Sequence, residues 1–300
     1  MKKYTSQEIK EFISGPFFDE EVILNKDPSW PKISIVTPSY NQAQFLERTI
    51  LSVLNQNYPN LEYIIIDGCS NDGSVEIIKK YEKYLAYWVS EKDNGQADAI
   101  NKGFKIASGD IIAWQNSDDI YLPNTFFMVI KEFKKNYDSD VVFGNIYLID
   151  ENDNILKDMR YVPFNLEHLI YYDWNLSSQA VFWKRELFNK VGYLKNYIVS
   201  FDLDWFICVG KVTKNFRFIR EFLGGYRIHS ESKFSLVKGD VRHHIFVEIM
   251  NKNGIKIDKN KSWEHQYKLK KLKAFLRKFL WYIFQGDIDY IFKGVIRRLC

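Results

Sequence analysis

Only three of the 300 residues are cysteine: Cys69, Cys208 and Cys300. Their number is odd and their spacing wide, so they form neither a disulfide framework nor a zinc cluster, and a reducing compartment is expected. No stretch approaches the ~18 consecutive apolar residues that a membrane-crossing helix requires. Residues 1–27 mix both signs of charge without a long apolar run, so no secretory signal peptide is expected. Internal repeats and low-complexity linkers are lacking. So are two common phosphate-binding fingerprints. No Gly-x-Gly-x-x-Gly follows the first predicted strand, and no Gly-Lys-Ser/Thr follows any strand. Their lack argues against a dinucleotide dehydrogenase and a P-loop enzyme.

What is present suits one large α/β domain with an appendage. Apolar residues make up 46% of the chain, enough to bury a real core. Net charge is only +4, and nucleic acid is not among the expected partners. The basic excess is uneven, because Lys268, Lys270, Lys271, Lys273, Arg277, Lys278, Lys293, Arg297 and Arg298 crowd the end. Residues 1–31 read as a helical preface ending at Trp30-Pro31. Strands are predicted at 33–37, 63–66, 87–89 and 111–114, and helices at 44–55, 74–84, 97–107 and 123–136. Ser108-Gly109 reads as a helix C-cap. A hairpin is expected from 141–149 and 155–162 around Glu151-Asn152-Asp153-Asn154. Residues 240–300 read as helical and basic.

Strand–helix alternation with continuous β-branched strands means a mostly parallel sheet covered on both faces. Ligands of such sheets bind beyond the carboxyl ends of the strands. The polar residues gathered there are Thr37 to Asn41, Asp67 to Asp72, and Asn116-Ser117-Asp118-Asp119. Two adjacent carboxylates preceded by an amide suit Mg²⁺ or Mn²⁺, which prefer oxygen ligands and share them with phosphates. The competing reading is that Asp118 and Asp119 cap the helix starting near Pro123. Asp67 can accept hydrogen bonds from a base or ribose, or serve equally well as a turn residue before Gly68.

The run Ile33-Ser34-Ile35-Val36-Thr37-Pro38-Ser39-Tyr40-Asn41 resembles the opening of family 2 glycosyltransferases with the GT-A fold. The resemblance continues through Ile66-Asp67-Gly68, Asp72-Gly73-Ser74, Asp93 to Gly103, Ala107 to Asp110 and Asn116 to Asp119, over about residues 33–230. It implies a catalytic domain over 32–235, divided into a nucleotide-sugar half (32–120) and an acceptor half (121–235). The fold would be Rossmann-like and mostly parallel, with helices on both faces and a C-terminal helical extension.

The resemblance also implies roles. Thr37, Pro38, Tyr40, Asp67, Gly95, Gln96, Asp98, Asn116 and Ser117 would bind the donor. Asp118, with His229 of Tyr226-Arg227-Ile228-His229, would hold Mn²⁺ or Mg²⁺. Asn116 stands where the family's Asp-x-Asp motif usually has Asp. Asp202 would be the catalytic base, although Phe201 replaces the usual acidic neighbour and Asp202 could instead cap the following helix. Gln179 and Asp204 would face the acceptor. The implied enzyme is an inverting, metal-dependent hexosyltransferase of the bacterial surface-polysaccharide type. It would move sugar from a nucleotide-diphosphate donor, UDP-linked, to a glycan or lipid-linked glycan. The alternatives are a sugar-1-phosphate nucleotidyltransferase and a non-catalytic nucleotide- or glycan-binding protein.

The tail, 236–300, repeats Leu269, Leu272, Leu276, Phe279, Leu280 and Ile283 at helical spacing among basic residues. Such a helix suits an anionic membrane surface, with contact through residues 263–300. The expected location is cytoplasmic, peripheral on the inner face of the cell membrane. An ordinary packed helix or an oligomer contact is the competing reading.

Overall fold

The computed structural model describes residues 1–172, 176–255, 261–287 and 290, with backbone alone at 234, 235 and 261–264. The chain opens with α1 (Ser6–Phe12) and α2 (Glu20–Leu24). A capping box starts α1: the Thr5 hydroxyl accepts from the Glu8 amide, and the Glu8 carboxylate accepts from the Thr5 amide. This helix buries Ile9 against Tyr147, Ile149 and Phe222 in a small second core. The preface therefore packs on the body of the protein.

Alternation then proceeds through β1 (Ile33–Ser39), α3 (Ala43–Leu54), β2 (Leu61–Asp67), α4 (Ser74–Lys80), β3 (Tyr87–Ser90), α5 (Gln96–Ile106) and β4 (Ile111–Trp114). β1 pairs in parallel with β2 and β4, and β2 with β3. β1 and β4 are buried along their whole length, β4 as an unbroken apolar run and β1 with Ser34, Thr37 and Ser39 buried beside its apolar residues. The second half adds β5 (Ile120–Tyr121), α6 (Thr125–Lys135), β6 (Val141–Ile149), β7 (Ile155–Met159), α7 (Leu166–Tyr171), β8 (Val181–Lys184), α8 (Leu187–Val191), α9 (Phe201–Val212), β9 (Phe216–Arg227), α10 (Lys233–Leu236), α11 (Gly239–Lys252) and α12 (Lys261–Phe284).

Among the described residues nine strands form one sheet in the order β3-β2-β1-β4-β8-β6-β9-β5, with β7 beside β6. β8 runs antiparallel to both β4 and β6, while β6 and β9 are parallel. Trp114 of β4 meets Trp183 of β8 at 5.4 Å and Phe206 of α9 at 6.1 Å between ring centroids. Trp183 meets Trp205 of α9 at 4.6 Å. This aromatic core fixes α9 over the middle of the sheet.

Four local expectations are corrected. α5 ends at Ile106, and its cap, Ala107, is extended, so Ser108-Gly109 is no C-cap. Gly109 is needed for space instead: a Cβ there would lie 2.5 Å from the Ser34 hydroxyl and 2.7 Å from its amide nitrogen. The cap of α6 is Asn124 in the left-handed region without a side-chain cap bond, so neither Asp118 nor Asp119 caps it. The cap of α9 is Ser200, which places Asp202 inside the first turn. The helix expected over 74–84 stops at Lys80 and continues as a separate 3₁₀ turn over Glu82–Tyr84.

The 150–154 turn closes the expected β6–β7 hairpin. α12 lies along α7 and β9. Its Tyr282 hydroxyl donates to the Arg160 carbonyl at 2.6 Å, and Asp287 beyond its end pairs with Arg160 at 2.7 Å and Arg220 at 3.0 Å. Among the described residues no helix is long and apolar enough to cross a membrane. The tail expectations at 288, 289 and 291–300 lie outside the described residues.

Candidate active site

The loop after β4 sets one carboxylate outward and the next inward. The Thr49 hydroxyl of α3 reaches the carbonyl oxygens of Ser117 at 2.9 Å and Asp119 at 2.7 Å. The Asp119 amide closes a turn onto the Asn116 carbonyl at 3.1 Å. Asp119 is wholly buried. Three donors meet it: the Arg227 amide at 2.8 Å on Oδ1, and the side-chain amides of Gln179 at 2.7 Å and Asn116 at 2.9 Å on Oδ2. Burial, with the adjacent Asp118 carboxylate, pushes its pKa up to about 8 against the pull of these donors. Gln96 at the head of α5 completes the chain, donating to the Asn116 oxygen at 2.8 Å. Asp119 thus joins the loops at 96, 116–119, 179 and 227.

Asp118 keeps its side chain partly exposed and sets Oδ2 3.0 Å from His229 Nε2. That hydrogen bond raises the His229 pKa, opposed by burial. The imidazole packs on Phe45, with centroids 4.7 Å apart. Arg227, fully buried at the end of β9, donates through Nε to the Asp118 carbonyl at 2.7 Å. Its Nη1 lies 2.9 Å from the Asp150 carbonyl and 2.6 Å from Asp153 Oδ1. Asp153 Oδ2 holds Arg48 of α3 at 2.6 Å. A buried charge is tolerated only when paired, and here one carboxylate serves two guanidiniums.

Asp202 is partly exposed at the start of α9, its Oδ1 accepting from the Leu203 amide at 2.9 Å. Burial pushes its pKa up to about 6. Burial raises the pKa of the Tyr226 phenol, and the charges of Asp119, Asp118 and Asp202 raise it further.

Residues 34–205 match the family model described as Glycosyl transferase family 2. The chain belongs to that family. Over 213 residues it is 32% identical to an uncharacterized glycosyltransferase, MJ1057, of Methanocaldococcus jannaschii, covering 68% of this chain and 73% of that protein. It is 42% identical over 94 residues to the putative teichuronic acid biosynthesis glycosyltransferase TuaG of Bacillus subtilis, covering 30% of this chain and 36% of TuaG. Two solved structures share the fold. One is S. aureus TarS (residues 1–349) in complex with UDP-GlcNAc, with TM-score 0.58 and 17% identity over 83% of this chain and 72% of that one. The other is the mannosyltransferase PcManGT from Pyrobaculum calidifontis with GDP-Man and Mn²⁺, with TM-score 0.59 and 16% identity over 98% of this chain and 87% of that one. The GT-A fold expected from the family 2 motifs is therefore the fold observed.

The family 2 motif residues separate into two groups. Gln96, Asn116, Ser117, Asp118, Gln179 and His229 converge around Asp119. Gln179 faces inward to support Asp119 rather than outward to an acceptor surface. The others have partners of their own. Thr37 is buried with its hydroxyl 3.1 Å from that of Tyr63, and Pro38 lies inside β1 opposite Ile66. Asp67 is wholly buried and accepts from the Ser70 amide and hydroxyl and the Ser90 hydroxyl, at 2.6 to 2.8 Å. Tyr40 is exposed. Gly95 adopts φ 109° with its amide on Asp93, and Asp98 accepts from the Asn94 amide at 3.0 Å. Asp204 is buried on Lys195 at 3.0 Å and Asn253 at 2.6 Å. Sequence reasoning grouped Asp119 with Asp118 and missed its inward turn, and it missed the roles of Arg227, Asp153 and Arg48. One signal was available: Arg227 ends a long strand among apolar residues, and a guanidinium there demands buried partners.

Proposed function

We propose that this family 2 protein is an inverting, metal-dependent hexosyltransferase. It takes its sugar from a nucleoside-diphosphate donor, UDP-linked, and passes it to a glycan or lipid-linked glycan of a bacterial surface polysaccharide. The location that fits is the inner face of the cell membrane. The observation that carries the chemistry is the Asp118–His229 pair, 3.0 Å apart beside the wholly buried Asp119, with the partly exposed Asp202 in the first turn of α9.

The donor set fits a divalent cation. One carboxylate oxygen and one imidazole nitrogen lie 3.0 Å apart, and no group of three or more His, Cys, Asp or Glu that could hold a metal occurs among the described residues, so the remaining ligands would have to come from outside the chain. Such a pair leaves room for oxygens of a bound diphosphate. When bound, Mn²⁺ or Mg²⁺ offsets the negative charge that develops on the leaving diphosphate.

The chain's own residues do the rest. Asp202 removes the proton of the acceptor hydroxyl as that oxygen attacks the anomeric carbon. The bond from that carbon to the diphosphate oxygen breaks, and its electron pair leaves with the diphosphate. Attack opposite the leaving group inverts the configuration. Asp119 and Arg227 hold the Asp118 backbone in place throughout, so the site is organised before the donor arrives.

The test is thermal-shift titration with UDP- and GDP-sugars, with and without Mn²⁺ or Mg²⁺, followed by turnover of the best donor. A shift that needs both sugar nucleotide and cation is the expected result. Equal shifts with EDTA would remove the cation from the reading. No shift with any sugar nucleotide would remove the reading itself.

A further inference from the structure

We infer that the outward face of α12 is a docking surface for an anionic lipid bilayer. Its placement near a membrane-borne acceptor rests on the proposed function above; the surface itself rests on separate observations.

The helix is held by one side. Lys270, Ala274, Lys278 and Tyr282 recur at every fourth position, which is one face. Lys270 lies over the Tyr171 ring at 4.4 Å, Lys278 over the Tyr172 ring at 5.7 Å, Ala274 is buried, and the Tyr282 hydroxyl bonds the Arg160 carbonyl. Asp287 locks the end of the helix onto Arg160 and Arg220. These contacts decide which side chains point away.

The side chains that point away are apolar at helical spacing. Leu269, Leu272, Leu276, Leu280 and Ile283 are each between 41% and 52% exposed, and Phe284 is 80% exposed. Lys268, Lys271, Lys273 and Arg277 flank them, all exposed. From His265 to Gly286 there is no aspartate or glutamate. One acid stands at the edge, Glu167 of α7, 4.0 Å from Arg277, and the other flanking charges are cations. An apolar stripe edged mainly by cations is the combination that seats in a bilayer interface and is drawn to negative headgroups. A second copy of the same face fits poorly, because pairing it with itself brings lysine and arginine rows together with no acid from residues 265–286 between them. Charge complementarity therefore selects anionic lipid.

The experiment uses the full chain and sedimentation with vesicles of phosphatidylcholine, or of phosphatidylcholine with phosphatidylglycerol. Binding to the anionic vesicles at low salt and weaker binding at high salt are expected. Loss of one basic residue, as in Lys271→Gln, should weaken binding about fivefold. Leu276→Glu with Leu280→Glu should abolish it while the cooperative melt of the protein stays in place, since both side chains are exposed. Absence of binding to anionic vesicles at low salt, or equal binding by the double variant, would overturn the inference. So would a dimer in sedimentation velocity that the double variant dissolves, because the face would then join two copies. The donor-dependent thermal shift is read in parallel. Vesicle binding without that shift refutes the proposed function and leaves this surface standing, and the opposite result does the reverse.

Discussion

Asp153 lies 2.6 Å from both Arg48 and Arg227, while Asp287 lies 2.7 Å from Arg160 and 3.0 Å from Arg220. Each cluster sets one carboxylate between two guanidiniums, and each joins segments far apart in the chain. They differ in water and in what they hold. The Arg227 side chain is 0% exposed and continues directly to Asp118 and Asp119. In the other cluster Arg160 is also buried, at 5% exposed, but Arg220 is 38% exposed, Arg160 keeps a second carboxylate in Asp158 at 2.9 Å, and the cluster holds the end of α12. The same ionic motif therefore supports the candidate site in one place and the attachment of α12 in another. Its energetic weight follows desolvation rather than the number of charges.

The largest effect should come from the carboxylate that the inner cluster ultimately supports. Asp118→Asn is expected to lower turnover by at least ~100-fold, as loss of an electrostatic stabiliser does. Its melting should be near that of the parent protein, because Asp118 is partly exposed. Steady-state kinetics beside calorimetry check this, and retained turnover would leave the inner cluster with nothing to serve.

Second comes the inner cluster itself. Asp153→Asn leaves a buried guanidinium without its counter-charge, and a loss of ~3–5 kcal/mol in urea unfolding is expected. Cation affinity, followed by Mn²⁺ titration, should fall with it. An unchanged titration would mean that Arg227 does not position Asp118.

Third is a pH dependence outside both clusters. Burial raises the Asp202 carboxyl to about 6, so its proton leaves only as pH climbs through that value. Turnover should rise with pH through about 6 and then level, the sign expected of a base that must be ionised. Asp202→Asn should lose most turnover and this limb of the profile with little change in donor affinity. A profile that falls as pH rises through 6 would assign Asp202 a different role.

The smallest effect belongs to the outer cluster. Asp287→Asn should cost less than Asp153→Asn, about 1 kcal/mol, because Arg160 keeps Asp158 at 2.9 Å and Arg220 is partly exposed to water. Turnover on a soluble acceptor should be unchanged, while proteolysis of α12 should quicken. If it costs as much as Asp153→Asn, the contrast between the clusters fails.

The sequence made the inner strands of the sheet legible, because β1, β2 and β4 are rich in isoleucine and other apolar residues that need burial on both faces. Asn116 to Asp119 stood out for the same reason: polar residues at a buried strand's end have one place to go. Asp153 was hidden inside Glu151-Asn152-Asp153-Asn154, which reads as a solvent-facing turn. Its burial depends on β9 and α3 supplying Arg227 and Arg48, and no local pattern reports that. Gln179 was misdirected for a related reason. Its inward turn answers the need of Asp119 for donors, which appears only once Asp119 is known to be buried. The Asn at 116 has a physical meaning of its own here, since its amide donates to Asp119 where a second carboxylate would repel it.

The parallel pairing of β6 with β9 has a consequence in time. A ribosome delivers the carboxylates at 118 and 119 long before it delivers Arg227 and His229. The strand that carries these partners can dock only after α9 and the segments before it have emerged. Pairings between distant segments form slowly because loop-closure entropy must be overcome first. On a growing chain, then, the β4 loop carries two acids without these partners. Its division into one outward and one inward group must wait for β9.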